Sequence, residues 1–329
     1  MRVLVTGIGG QDGFYLAQQM LHQGHDVTGI LRTRAVPLAL SELQTHSSQL
    51  QLLTGDVTDR DFLRSAIVAS APDQIYNLAA QSHVGESFTS PVPTFEVNTL
   101  APLYLLELIR QIDPHIRFFQ ACSAEVFGEN PPAPQTETTP FAPASPYAVS
   151  KASAFWLVES YRRSYGLFAC SAILYNHESP LRDESFLSGK VVHAIARILQ
   201  GRQQTLALGN LDVQRDWGFA GDYVEAMALM LEQEQPTDYV IASGQTYSVG
   251  EFVEAAFGYV GLDWRQYVVV DAKLLRPADA QLLRGDAGRA RRQLGWQPRL
   301  DFQMLVELMV DAAIKQSKQT ALSAALGES

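Results

Sequence analysis

Residues 1–23 read MRVLVTGIGGQDGFYLAQQMLHQ, and this stretch decides the fold. Residues 2–5 are a short apolar run of strand type. Residues 12–23 place Leu16, Ala17, Met20 and Leu21 on one face and glutamines with His22 on the other, which is helical spacing. Between them, Thr6-Gly7-Ile8-Gly9-Gly10-Gln11-Asp12-Gly13 joins strand to helix. Glycines permit positive φ and close backbone approach, and the first amides of a helix lack internal partners. Strand, glycine turn and helix N-terminus together form a cradle for a pyrophosphate, with Gly7, Gly10, Gln11, Asp12 and Gly13 at its lip. A glycine cluster alone marks many tight turns; the strand–turn–helix context is what argues for a dinucleotide here.

Outward from this turn the same alternation continues. Strand-like runs fall at 27–31, 50–53, 74–79, 117–122 and 168–174, separated by helical patterns at 62–69, 101–112 and 145–165. Strands joined by crossover helices form a parallel sheet with helices on both faces. The expected architecture is a Rossmann-like, doubly wound α/β domain over 1–174. After residue 175 the rhythm breaks. Loops such as NHESPLRDES and GNLDVQRDWG interrupt shorter elements, and Pro180, Gly189, Gly201 and Gly209 punctuate them. Residues 175–329 read as a smaller α/β substrate-binding portion, with segments returning to the main sheet. Residues 316–329 read as a frayed helical tail.

Composition narrows the partners. The 329 residues are 47% apolar and 18% charged, ordinary for a globular protein, with net charge −10. Nucleic acid and anionic membrane both need a basic face, so neither is expected as a partner. An anionic ligand must be held by a few placed arginines. Cys122 and Cys170 sit in strand-like runs without CxxC spacing or neighbouring histidines, so buried reduced thiols are expected and no metal site. The chain opens directly into a strand and has no apolar run of about 18 residues. The expectation is a cytoplasmic location.

The end of the second strand selects the cofactor. An NAD site places an acid there to accept from the ribose 2′-hydroxyl. This strand continues Leu31-Arg32-Thr33-Arg34 with no acid. Arg32 suits a 2′-phosphate, so NADP is favoured over NAD; plain solvation of Arg32 and Arg34 is the competing account. Asp56, after the third strand, has two readings: contact with the adenine, or a cap for the next helix.

Ser145-Pro146-Tyr147-Ala148-Val149-Ser150-Lys151 sets Tyr147 and Lys151 four apart, on one helix face. A tyrosine titrates near 10, and an ammonium beside it is expected to lower that value toward a usable base. Upstream, Ser123-Ala124-Glu125 follows a strand. Ser123 offers a hydroxyl to the same substrate oxygen, or simply forms a turn. Glu125 adds a carboxylate, which a simple dehydrogenation does not need; a second proton transfer would need it, whereas a solvated loop glutamate would not. His83 and His177, taken alone, read as structural hydrogen-bonders.

With these residues in place the chain resembles the extended short-chain dehydrogenase/reductases, and among them the GDP-mannose 4,6-dehydratase family. The similarity runs from Val3 to about Ala313. It is carried by TGIGGQDGFYLA, YNLAAQSHV, SPYAVSK, ILYNHESP, QRDWGFAGDYVEAM, RPADAQLLRGD and LGWQP. The resemblance implies a catalytic set of Ser123, Glu125, Tyr147 and Lys151. It implies cofactor contacts from Arg32, Asp56, Val57, Leu78, Ala79, Ala80, Gln81, Ser82, His177 and Arg182, together with Tyr147 and Lys151. The nucleotide-sugar falls to Ser82, Glu125, Asn176, Lys190, Arg215, Arg276 and Asp279; the guanidinium forks of Arg215 and Arg276 suit a diphosphate.

The implied reaction is redox-neutral. Tyr147, with Ser123 and Lys151, takes the C4 hydroxyl proton of GDP-mannose as hydride leaves C4 for NADP+. The 4-ketone acidifies C5, Glu125 takes that proton and water leaves C6, and the hydride returns to C6. A homodimer or homotetramer is implied as well. The chain departs from the family at Ser123 (threonine is usual), Ala124, Ala144, Gly189, Asp279 and the TRAVPLALSEL segment after Arg32, where a serine-rich loop usually reaches a neighbouring subunit. Two other readings stay open: a reductase or epimerase acting on a 4-keto nucleotide-sugar, and a silent nucleotide-binding regulator.

Overall fold

The computed structural model describes residues 1–129, 131–274 and 282–326. The first half alternates strictly: β1 (Arg2–Thr6), α1 (Gln11–His22), β2 (Asp26–Leu31), α2 (Leu38–His46), β3 (Leu50–Thr54), α3 (Arg60–Ser70) and β4 (Gln74–Asn77). Then come α4 (Val84–Thr89), α5 (Pro91–Phe95), α6 (Ala101–Ile112), β5 (Arg117–Ser123), α7 (Pro146–Tyr165) and β6 (Ala169–Leu174). The second half carries β7 (Asn176–Glu178), α8 (Leu187–Leu199), β8 (Leu206–Leu208), β9 (Gln214–Phe219), α9 (Ala220–Glu232), β10 (Tyr239–Ile241) and β11 (Thr246–Ser248). It ends with α10 (Val249–Tyr259), β12 (Val268–Val270), β13 (Leu282–Leu283), α11 (Gly288–Leu294) and α12 (Phe302–Leu326).

Seven strands form one sheet in the order β10-β6-β5-β4-β1-β2-β3, every neighbouring pair parallel. All residues of β4 and β6 are buried, so neither strand shows the alternation of a half-exposed one; β6 is mostly apolar, whereas β4 buries Gln74 and Asn77 beside Ile75 and Tyr76. The strand order reverses between β1 and β4, and a doubly wound sheet opens its binding crevice at the carboxyl ends of the strands there. A buried polar rung crosses the sheet just beneath that point. Thr6 Oγ1 donates to Asn77 Oδ1 at 2.6 Å, Asn77 Nδ2 to Gln120 Oε1 at 2.8 Å, and Gln120 Nε2 to the Ala121 carbonyl at 2.9 Å. Thr6 Oγ1 also accepts from the Leu78 and Ala79 amides, so β1, β4 and β5 and the turn after β4 are held in one register.

Two segments that read as loops carry strands. β7 lies in NHESPLRDES and β9 begins inside GNLDVQRDWG; the two pair in parallel, Asn176 opposite Trp217. The apolar signal of β9 is masked because Arg215 and Asp216 are buried in it beside Trp217. Asp216 is satisfied from a distance: Oδ1 accepts from Ser243 N and Oγ, and Oδ2 from Gly244 N and Gly285 N. A second apolar core gathers α8, α10 and α12 around Trp217, Phe252 and Phe302. β10, from this half, pairs with β6 and lies at the edge of the main sheet. The expected helical tail is part of α12, which runs on to Leu326. Among the described residues no helix is long and apolar enough to cross a membrane.

Candidate active site

The glycine turn is built by exclusion. Gly7 has φ +70, and a Cβ there would lie 2.7 Å from the Ala79 amide nitrogen. A Cβ on Gly13 would lie 2.4 Å from the Gly7 carbonyl oxygen and 2.5 Å from Ile8 Cα, so α1 packs directly on the turn. Gly10 is different: its Cβ would meet only the Gly7 carbonyl, at 3.3 Å. Gly10 is the N-cap of α1 and no side chain caps the helix, so its first amides stay available to a phosphate.

Gln11 and Asp12 face the second half of the chain. His177 Nε2 lies 2.8 Å from Asp12 Oδ2, and Gln11 Nε2 donates to the His177 carbonyl at 3.0 Å. Ser179 Oγ donates to Gln11 Oε1 at 2.7 Å. The glycine turn and the NHESP segment are thereby latched together.

α7 presents the Tyr–Lys pair. Ser145 caps it by accepting from Ala148 N, Pro146 occupies its first turn, and Tyr147 and Lys151 share its buried face. Lys151 Nζ donates to the Ala121 carbonyl at 3.0 Å and stands 5.9 Å from the Tyr147 ring centroid. The expected tuning is reversed in this arrangement. Burial first, with the Glu125 and Cys122 charges added, pushes the Tyr147 phenol above its ordinary value against the hydrogen bond from Ser123. Burial likewise pulls the Lys151 ammonium down to about 8. The ammonium is itself desolvated and donates to a carbonyl, so its spacing from Tyr147 alone does not lower the phenol.

One cavity of about 730 Å³ draws most of the implied residues together. Ser123, Glu125, Tyr147 and Lys151 line it, as do Asp12, Leu78, Ala80, Ser82, Asn176, His177 and Arg182. Gln81 and Ala79 belong to the same turn, behind the lining. Gln81 is held by Asn98, whose Oδ1 accepts from Gln81 N while Nδ2 donates to the Gln81 carbonyl and to Ser150 Oγ. Asn98 sits in a π-helical turn (Glu96–Leu100) before α6, a device with no sequence signal beyond the amide itself.

The opposite wall has His83 stacked on Phe186 with ring centroids 4.3 Å apart, and the Arg182 guanidinium 3.9 Å over the same ring. Arg182 also pairs with Glu178 at 2.8 Å. Lys273 joins this wall, a cation the sequence reading did not single out although it lies three residues before Arg276.

Other implied residues lie elsewhere. Arg32 is exposed at the end of β2, and Val57 is buried after β3. Asp56 Oδ1 accepts from Thr58 N and Oγ1, whereas the cap of α3 is Asp59, so Asp56 is no helix cap. Lys190 is outside the cavity lining and donates to the Ala207 carbonyl at 2.7 Å. Arg215 is buried, with Nη1 donating to the Gln214 carbonyl. Arg276 and Asp279 lie outside the described residues. Cys122 and Cys170 are buried and unpaired, and burial raises the Cys122 thiol to about 12. Among the described residues no group of three or more histidine, cysteine or acidic side chains is placed to hold a metal ion.

A parallel sheet with a glycine turn at its switch point, and a Tyr–Lys pair across the crevice, define an extended short-chain dehydrogenase/reductase. The family model described as GDP-mannose 4,6 dehydratase matches residues 4–309. GDP-mannose 4,6 dehydratase 1 of Arabidopsis thaliana is 46% identical, with 98% of this chain and 92% of that protein aligned. The GDP-mannose 4,6-dehydratase of Vibrio cholerae serotype O1 is 39% identical over 97% and 95%. Among solved structures, a dTDP-glucose 4,6-dehydratase from Streptomyces venezuelae superposes with a TM-score of 0.86 at 26% identity, covering 97% of this chain and 98% of that one. The chain belongs to the GDP-mannose 4,6-dehydratase family.

Proposed function

We propose that this chain is a hydro-lyase that converts GDP-mannose to GDP-4-keto-6-deoxymannose and water, with NADP as its resident hydride carrier. The observation that carries the reading is Glu125 lining one cavity with Ser123, Tyr147 and Lys151. Oxidation alone needs one proton acceptor; elimination needs a second group to take the C5 proton and pass one to the leaving C6 oxygen.

The cofactor fits the residues present. The uncapped N-terminus of α1 and the open approach at Gly10 suit a diphosphate, and Arg32 suits the 2′-phosphate. Gly7, Gly13, Val57 and the Leu78–Ser82 turn would hold the rest, with Asp56 toward the adenine. Bound NADP+ supplies a reversible hydride acceptor and, while oxidised, a positive charge in a cavity whose burial otherwise keeps Tyr147 protonated. Tyr147 takes the C4 hydroxyl proton, with the Ser123 hydroxyl on the same oxygen and Lys151 stabilising the phenolate. Glu125 then removes the C5 proton from the 4-keto sugar and passes it to the C6 oxygen, which departs as water; completing the product needs the hydride back at C6 and a proton at C5, which we assign to the Tyr147 phenol that took the C4 hydroxyl proton. Asn176 and Ser82 orient the sugar, and Lys190, Arg215, Arg276 and Asp279 are assigned to the nucleotide end.

Exposed Val149 and Trp156, seven residues apart on α7, together with exposed Val92 and Leu100, support a homo-oligomer, dimer or tetramer. Two buried free thiols suit a reducing compartment, and we assign the cytoplasm.

Incubation with GDP-mannose and catalytic NADP tests the reading. Mass spectrometry is expected to show loss of one water without net NADPH consumption. Stoichiometric NADPH use, or no 4-keto product, would overturn the dehydratase reading. Undiminished turnover in Glu125→Gln would remove Glu125 from the role of base.

A further inference from the structure

Asp12 presents a difficulty for the cofactor reading. It puts a carboxylate in the first turn of α1, where a helix gains from negative charge but a diphosphate is repelled by it. The side chain that covers Asp12 is His177, and its hydrogen bonds fix its proton count. Nδ1 lies 2.7 Å from the Tyr175 carbonyl oxygen and Nε2 lies 2.8 Å from Asp12 Oδ2. A carbonyl oxygen only accepts, and an ionised carboxylate only accepts, so both ring nitrogens must carry hydrogen. We propose that His177 is a resident imidazolium whose charge cancels Asp12, so that it acts on the dinucleotide through the glycine turn. This inference rests on the cofactor reading of that turn.

The surroundings agree. Gln11 Nε2 donates to Asp12 Oδ1 at 3.2 Å, which suits an ionised carboxylate. The His177 ring stacks on Tyr223 of α9, with centroids 4.6 Å apart, a favourable face for a cation. The remaining charges nearby are Arg182, which supports Asp12 and opposes His177 but is paired with Glu178, and Lys151, which interacts with Asp12 at longer range. Burial pulls the imidazole down, and Asp12 with the Tyr175 carbonyl more than offsets it, so the net shift is upward. Asp12 shifts the opposite way: burial raises it and His177, Gln11 and Arg182 outweigh the burial. The pair also ties β7 to α1, so the GQDG and NHESP segments are matched to one another.

The test has two arms on the full-length protein. The first is nitrogen-15 NMR of labelled histidine without cofactor, with the His177 signals assigned by their loss in His177→Gln. Both ring nitrogens are expected to be protonated at pH 7, while Asp12→Asn, which leaves burial opposed mainly by the Tyr175 carbonyl, drops the titration of the ring below its ordinary value of about 6.5. A neutral single-tautomer ring at pH 7 would overturn the proposal. The second arm is NADP affinity. His177→Gln, which strands the Asp12 carboxylate, is expected to weaken NADP roughly 10- to 100-fold. Adding Asp12→Asn is expected to restore affinity to within about threefold of Asp12→Asn alone. A double variant as weak as His177→Gln would overturn the charge-cancelling role. Failure of the wild-type protein to bind NADP at all would instead sink the cofactor reading, and the NMR arm would still decide the ion pair. Should His177→Gln not fold, the titration of Asp12→Asn decides the matter, with the signals assigned by their shift.

Discussion

Gly10 and Gly13 stand three residues apart in the same turn, and the structure gives them opposite sensitivities to one added methyl group. A Cβ on Gly13 meets three backbone atoms between 2.4 and 2.8 Å, none of which belongs to a side chain able to swing away. Alanine gains about 1 kcal/mol over glycine within a helix. Overpacking against fixed backbone costs about 3–5 kcal/mol at such distances, above the usual small-to-large range. Gly13→Ala is therefore expected to lose about 2–4 kcal/mol. At about 2.1 cal/mol/K per residue, the unfolding entropy of this chain is about 0.7 kcal/mol/K, so the midpoint falls by roughly 3–6 °C.

Gly10 has φ −82 and ψ 172, a conformation any residue adopts, and its added Cβ meets one oxygen at 3.3 Å. Gly10→Ala should stay within about 1 kcal/mol of wild type. Its methyl would stand over the uncapped amides of α1, so NADP affinity should fall about tenfold or more. Thermal unfolding without cofactor and NADP titration separate the two effects. Equal midpoints for Gly13→Ala and wild type would refute the packing argument. Wild-type NADP affinity in Gly10→Ala would refute the placement of the diphosphate.

Lys151→Met is expected to abolish turnover yet stabilise the protein. A lysine held at about 8 instead of its ordinary 10.5 leaves the folded state with fewer bound protons than the unfolded chain between those pH values, so the penalty is complete below pH 8 and disappears as pH rises to 10.5. Denaturant unfolding should show a gain on the order of 3 kcal/mol at pH 7, shrinking across that window; a gain constant with pH would contradict it. Asp216→Asn should destabilise by about 2–4 kcal/mol despite removing a buried charge, because its amide nitrogen must face N–H or O–H donors on one side. A chemical melt as stable as wild type would refute that accounting. Arg32→Ser should weaken NADP about tenfold and leave NAD unchanged, as read by paired titrations; equal losses for both cofactors would remove the 2′-phosphate from Arg32.

The sequence disclosed the parts of the molecule that obey local rules. β6 is buried on both faces and announces itself as a mostly apolar run, and α7 declares its start through Ser145 and Pro146. The cavity residues on either side of β5 and α7 follow from that frame. β9 stayed hidden because its stability lies in Asp216, whose donors are 27 to 69 residues further along the chain. Asn98 stayed hidden because an amide in a helix carries no sign that a π turn will aim it at Gln81. The electrostatics of Tyr147 and Lys151 were misjudged for a related reason: spacing fixes which face they share, but burial fixes what their protons do. Gln11, Asp12 and His177 were read as cofactor contacts, while their contacts with one another and with Ser179 depend on two segments some 165 residues apart.

The late arrival of β10 at the main sheet bears on how the chain is made. β6 ends at Leu174, but the strand that covers its edge ends at Ile241. At ribosomal rates of roughly 5–20 residues per second, the nascent sheet waits about 3–13 s with Ala172, Ile173 and Leu174 unpaired. An apolar parallel edge left open for seconds is a template for another chain. The glycine-turn half is therefore not a module that finishes folding before its successor emerges, and a fragment ending near residue 174 should aggregate where the whole chain does not.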